Sequence, residues 1–350
     1  MHTEILGRRE GGDGPSVRFG RHRARDGSDG APVAVDVDRP HAALVVGKRG
    51  YGKSHTLGVL AEGAARATGV APVVLDPMGV FDGLEDPETD GPPVPASVVR
   101  TPRARADAVP PSAWPTLVGC ESDSAVGSLV WRAAAASETL AAMREFVADA
   151  DVPAATGRAA GNRLRRAATW DVFDPDGVDA PELAGGDATV LDLSSLDPAP
   201  ANAVVYAVAS GLYDARLSES IARLPWLFLD EAHAFFDGVA APALRTVLTR
   251  GRSPGVSLAA ATQRPSALPD IAVSQADLRV VHRLTAGPDI DALAAANPTY
   301  LGANLRERLP DEPGEALVVD DAAEAVRDVT VRRRDTPHGG ASPRASNVNL

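Results

Sequence analysis

Short apolar runs at 42–46, 71–75, 188–193, 226–229, 256–262 and 278–284 read as buried strands. Between them, helical patterns run from Gly47 to about Arg66 and over 124–147, 157–170, 201–220, 241–249 and 289–296. Strand and helix alternate, so the fold class is α/β: a mostly parallel sheet with helices on both faces. Two late runs, 316–319 and 329–332, look like edge strands. Residues 1–40 are rich in Gly, Asp and Arg, and their one alternating run, 31–37, reads as a short hairpin or β arm. From Val80 to about Pro115 the chain is rich in Pro, Asp and Gly and is expected to be irregular. The organisation is therefore an arm at 1–40, a core at 41–335 with a small helical insertion at about 82–180, and a polar tail at 336–350 expected to be disordered. No internal repeat is visible.

Charge changes this picture in two ways. The net charge is -12, and Lys48 and Lys53 are the only lysines, arginine supplying the remaining basic charge. Acidic excess with arginine in place of lysine suggests adaptation to high salt or a GC-rich genome. An acidic chain lacks the overall field that steers nucleic acid, so any DNA contact needs a local patch, such as a pore. No apolar run is long enough to span a membrane, and no secretory signal opens the chain. A cytoplasmic protein without membrane contact is expected. Cys120 stands alone, which excludes an intrachain disulfide and suits a small buried hydrophobe.

The chemistry concentrates at the ends of two predicted strands. Gly47-Lys48-Arg49-Gly50-Tyr51-Gly52-Lys53-Ser54 fits G-x-x-x-x-G-K-[ST] and sits between a strand and a helix. Gly47, Gly50 and Gly52 let the backbone bend so that its N–H groups converge on phosphate, with His55 following in the helix's first turn. Lys53 would neutralise the β and γ phosphates of ATP, and Ser54 would offer its hydroxyl to Mg²⁺. Arginine is too bulky and planar for the point charge of Lys53, which explains a lysine here in a chain that otherwise avoids it. The second element is Pro225-Trp226-Leu227-Phe228-Leu229-Asp230-Glu231-Ala232-His233. Asp230 is the candidate for the Mg²⁺ shell and Glu231 for the general base. His233 would couple the site to a partner or cap a local helix. Gln263, at the end of the next strand, is the candidate sensor of the γ-phosphate or the attacking water.

These motifs together resemble the HerA/FtsK branch of the additional-strand P-loop ATPases, and most of all the HerA central domain. The likeness also takes in Leu75-Asp76-Pro77-Met78-Gly79-Val80-Phe81, the aspartate in 188–193, Arg250-Gly251-Arg252 and Ala261-Thr262-Gln263-Arg264-Pro265. Arg283-Leu284-Thr285 and His338-Gly339-Gly340 complete it. The resemblance implies a RecA-like (ASCE) core that assembles as a homo-oligomeric ring, usually a hexamer, and moves double-stranded DNA through its pore. It implies catalytic roles for Lys53, Glu231 and Gln263, and an arginine finger reaching a neighbour's nucleotide, with Arg252 and Arg250 matching best and Arg283 less well. HerA proteins usually carry an N-terminal β-barrel, and residues 1–40 are too short for one. The basic helix with Arg158, Arg163, Arg165 and Arg166 is either a DNA contact or a solvated face.

The leading expectation is an ATP-driven double-stranded DNA translocase or helicase, working with a nuclease in end processing. The alternative is a secretion or conjugation motor, or an assembly ATPase, acting on protein. Phosphate geometry alone does not separate the two. A nucleotide-binding protein that barely turns over is a third reading, opposed by the intact Lys53, Asp230 and Glu231.

Overall fold

In the computed structural model, residues 3–9, 12–24, 26–86, 91–296 and 305–339 are described. Twelve strands form one sheet: β1 (Glu4–Leu6), β2 (Ser16–Arg23), β3 (Asp29–Asp36), β4 (Ala42–Val46), β5 (Val70–Asp76), β6 (Ala96–Val99), β7 (Ala188–Asp192), β8 (Leu224–Leu229), β9 (Ser257–Thr262), β10 (Leu278–Val281), β11 (Glu315–Asp320) and β12 (Ala325–Val331). Their order is β1-β3-β2-β12-β11-β10-β4-β9-β8-β5-β7-β6. From β10 to β6 every neighbouring pair is parallel. Strand β4 is buried along its whole length, as an unbroken apolar run requires. Ala42, Leu44 and Val46 pack on one face against Val204 and Leu244, from the helices Pro198–Leu217 and Ala241–Arg250. Ala43 and Val45 pack on the other against Leu57, Leu60 and Ala61 of the helix Lys53–Ala65. Period-two alternation thus sandwiches the sheet between helices.

The runs read as edge strands are interior. β11 lies between β10 and β12, and β12 pairs with β2 through Val329↔His22 and Thr330↔Arg21. The N-terminal segment supplies the next antiparallel ladder: β2 and β3 form a hairpin that extends the core sheet beyond β12.

The insertion carries its own core of Trp114, Leu129, Val130, Met143, Val147, Ala160 and Leu164, seated on Ala203 of the core. The helix expected over 124–147 is two helices, Ala125–Ala135 and Leu140–Asp149. Ser124 and Thr139 cap them by accepting the N–H of Gly127 and Ala142. The stretch expected to be irregular contributes β6 to the far edge of the sheet. The tail expected to be disordered starts packed: Thr336 is buried, and Gly339 approaches Val80. Gly340 and the rest of the tail lie outside the described residues.

Candidate nucleotide site

Parallel strands present their carboxyl ends along one rim of the sheet, where α/β proteins build their sites. Here β4 delivers the glycine loop, β9 delivers Gln263, and β8 delivers Asp230 and Glu231. β9 lies between the loop strand and the acid strand, the topology that defines the additional-strand class.

The loop is shaped by local sterics. Gly52 has φ 109° and Gly50 φ 81°, values that disfavour side chains. A Cβ on Gly47 would stand 2.6 Å from the His282 Cβ. His282 is buried beneath the loop: its Nδ1 lies 2.7 Å from the Glu315 carbonyl and its Nε2 2.9 Å from the Thr56 hydroxyl. The carbonyl must accept, so Nδ1 carries the proton and Nε2 accepts from Thr56. Sequence reading missed this support, because Thr56 and His282 are 226 residues apart.

Lys53 is buried at the start of the helix, its Nζ 3.4 Å from the Lys48 carbonyl. Burial lowers its pKa, and the charges of Glu231 and Asp230 act in the opposite direction. Lys48 instead lays its ammonium 4.3 Å over the Tyr51 ring. Ser54 donates its hydroxyl to Asp230 Oδ2 at 2.5 Å. A hydroxyl and a buried carboxylate in contact are a hard-oxygen pair of the type Mg²⁺ takes. Glu231 adopts φ 46°, a left-handed backbone rare outside glycine. That turn sends its carboxylate away from Asp230 towards Gln263 Nε2 at 3.5 Å and His233 Nδ1 at 3.4 Å. Burial raises the Glu231 pKa, with Asp230 pushing the same way and Lys53 opposing.

The structure therefore brings Gly47, Gly50, Gly52, Lys53, Ser54, Asp230, Glu231 and Gln263 to one rim. The His55 ring turns elsewhere: its Nε2 lies 2.8 Å from the Arg332 carbonyl, and it meets His338 edge-on at 5.8 Å. His233 touches the Thr262 hydroxyl at 3.1 Å and also lines a cavity of about 920 Å³ between the insertion and the core. Arg252 lies at the opposite rim, its Nη2 3.2 Å from Asp277 Oδ2. Asp277 also accepts the N–H of Ala42, the first residue of β4. The length of β4, roughly 16 Å, separates Arg252 from its own glycine loop. Arg250 is exposed at the same far rim. Arg283 is on the near rim, its carbonyl accepting the Lys48 N–H at 2.7 Å and its guanidinium paired with Asp311.

Two further acids belong to this region: Asp76, which the sequence showed only as part of a motif without a role, and Glu62, which it did not single out. Asp76 ends β5 fully buried, accepting the N–H groups of Phe81 and Met78. Burial dominates those bonds and raises its pKa to about 6. Glu62, on the loop's helix, is buried beneath the chain's last described segment. It pairs with Arg332 at 2.9 Å and accepts the Thr336 hydroxyl at 2.6 Å and the Thr336 N–H at 3.0 Å.

This sheet order and glycine loop have the architecture of the additional-strand P-loop NTPases. The family described as helicase HerA-like C-terminal matches residues 222–305. VirB4 of Thermoanaerobacter pseudethanolicus superposes with TM-score 0.69 at 15% identity, over 93% of this chain and 98% of that one. The plasmid coupling protein TrwB, in its complex with ADP and Mg²⁺, superposes with TM-score 0.58 at 15% identity, over 95% and 98%. No curated protein matches the sequence. The chain shares the fold of VirB4 and TrwB, and its residues 222–305 carry the sequence pattern of the HerA-like C-terminal family. No helix among the described residues is long and apolar enough to cross a membrane.

Proposed function

We propose that the chain is an ATP- and Mg²⁺-dependent motor that moves double-stranded DNA through a homo-oligomeric ring, a hexamer by its resemblance to HerA, with a nuclease as its partner in end processing. The observation that carries the chemistry is the meeting of Lys53, the Ser54–Asp230 contact and Glu231 at one rim. The loop N–H groups and Lys53 would hold the phosphates, and Ser54 and Asp230 would hold Mg²⁺, which neutralises phosphate charge when bound. Glu231 Oε2 accepts a proton from water, while Gln263 and His233 fix its carboxylate. Arg252 and Arg250, at the far rim, would serve a neighbouring subunit's site and not their own; their distance from their own loop supports this reading.

ATP hydrolysis by the purified chain should rise when duplex DNA is added and lose that stimulation as salt increases. Turnover indifferent to DNA would sink the DNA reading and leave the ATPase. Glu231→Gln should retain bound ATP and hydrolyse it at least ~100-fold more slowly. Normal turnover by that variant would remove Glu231 from the role of base. A second reading, a conjugation-type motor acting on protein, draws support from the near-complete overlap with VirB4 and TrwB.

A further inference from the structure

In an acidic protein that pairs many of its arginines, the helical insertion leaves several unpaired. Elsewhere Arg8 pairs with Asp36, Arg66 with Asp335, Arg279 with Asp321 and Arg327 with Glu4. The helix Ala154–Ala168 holds four arginines, and no carboxylate occurs between Asp151 and Asp171. Among the described residues Arg144, Arg158 and Arg165 make no ion pair; Arg165 donates to Asn162. All three line one groove of about 680 Å³ between this helix and Leu140–Asp149, with Glu145 the one acid on its wall.

The floor of the groove supplies an independent observation. Gly157 and Gly161 lie inside the helix, where glycine is less stable than alanine. A Cβ on Gly157 would stand 3.6 Å from Val152 Cγ2, and one on Gly161 would stand 3.7 Å from Arg165 Nη1. Both are ordinary contact distances, so packing within the chain does not require either glycine. The helix thus carries two weak positions that leave its backbone bare along the groove.

We propose that this groove grips the phosphate backbone of duplex DNA, a contact separate from the nucleotide-binding residues; it rests on the DNA reading above. Arg158 and Arg165 stand two turns apart, roughly 10.5 Å along the helix. That rise is close to three nucleotide steps of ~3.4 Å. Guanidinium forks bind phosphate oxygens two at a time, with Arg144 facing them across the groove. No leucine or aromatic side chain lines the groove, so it lacks the anchors on which a peptide would depend.

The test is fluorescence anisotropy of a short labelled duplex against the full chain over a salt series. Wild type is compared with the double variants R158Q/R165Q and G157A/G161A. Losing two phosphate contacts should weaken binding about tenfold or more and flatten the log–log salt slope by about 1.8. The alanine pair should raise the thermal midpoint, showing an intact helix, while weakening binding severalfold. Wild-type binding with both double variants unchanged overturns the groove and leaves the DNA motor standing. Displacement of the duplex by poly-glutamate as readily as by unlabelled duplex also overturns it, assigning the groove to acidic polypeptides. A wild-type chain that does not bind duplex sinks both readings.

Discussion

His282 and His41 are both buried, yet one is neutral and the other cationic near neutral pH. Burial pushes the His282 pKa down to about 4 against its ordinary 6.5, and its one proton is committed to the Glu315 carbonyl. Burial also pushes against the charged form of His41, but Asp277 and Asp36 outweigh it and hold its pKa at about 9. Its Nδ1 is 2.9 Å from Asp277 Oδ2; Asp36 Oδ2, 3.8 Å from Nε2, acts through charge rather than a hydrogen bond. The signs follow from proton counting. Unfolded His282 binds the extra proton, so its contribution to stability is lost as pH falls from 6.5 through about 4. Folded His41 binds the extra proton, so its contribution is lost as pH rises from 6.5 through about 9. A tenfold difference in proton affinity between the folded and unfolded chain corresponds to about 1.4 kcal/mol. The difference in unfolding free energy between wild type and His41→Gln should shrink across the alkaline window, measured by denaturant titration at several pH values. A difference that stays constant from pH 6.5 to 9 would show His41 to be neutral in the fold.

At the scale of elements, the helix that begins with Lys53 is held down by the chain's C-terminal segment. Glu62 faces Arg332, Arg334 and Thr336, and burial, which would raise its pKa, is outweighed by these bonds, which hold it low. Thr336→Val removes one hydroxyl donated to a buried carboxylate and should cost about 2 kcal/mol in denaturation. A neutral substitution would mean that Arg332 and Arg334 suffice. What the sequence revealed and what it hid divide along the same line. The glycine loop and the Asp230–Glu231 pair are contiguous motifs, legible because neighbouring residues perform the chemistry together. Gln263 was legible as the polar end of a neighbouring strand. Glu62 reads as one polar residue on an alanine-rich helix, and its partners Arg334 and Thr336 lie 272 and 274 residues away. The broken insertion helix did carry a signal, the Thr139 cap, which the surrounding alanines masked. β11 and β12 were read as edges because nothing local in Val329 announces His22 as its partner.

At the scale of the whole molecule, parallel strands set their two rims apart, and the candidate finger and the glycine loop occupy different ones. Assembly is then a condition for catalysis if Arg252 is the finger. Arg252→Ala mixed into wild-type chains should depress turnover more than its mole fraction, and alone should lower it by two or more orders of magnitude. A strictly proportional decline in the mixtures would reject a finger acting between subunits. The C-terminal clasp has a consequence in time as well. During translation Glu62 leaves the ribosome 272 residues ahead of Arg334. At ~5–20 residues per second, the nascent domain spends tens of seconds with that carboxylate uncovered. The clasp on the loop's helix can therefore close only after Arg334 has emerged.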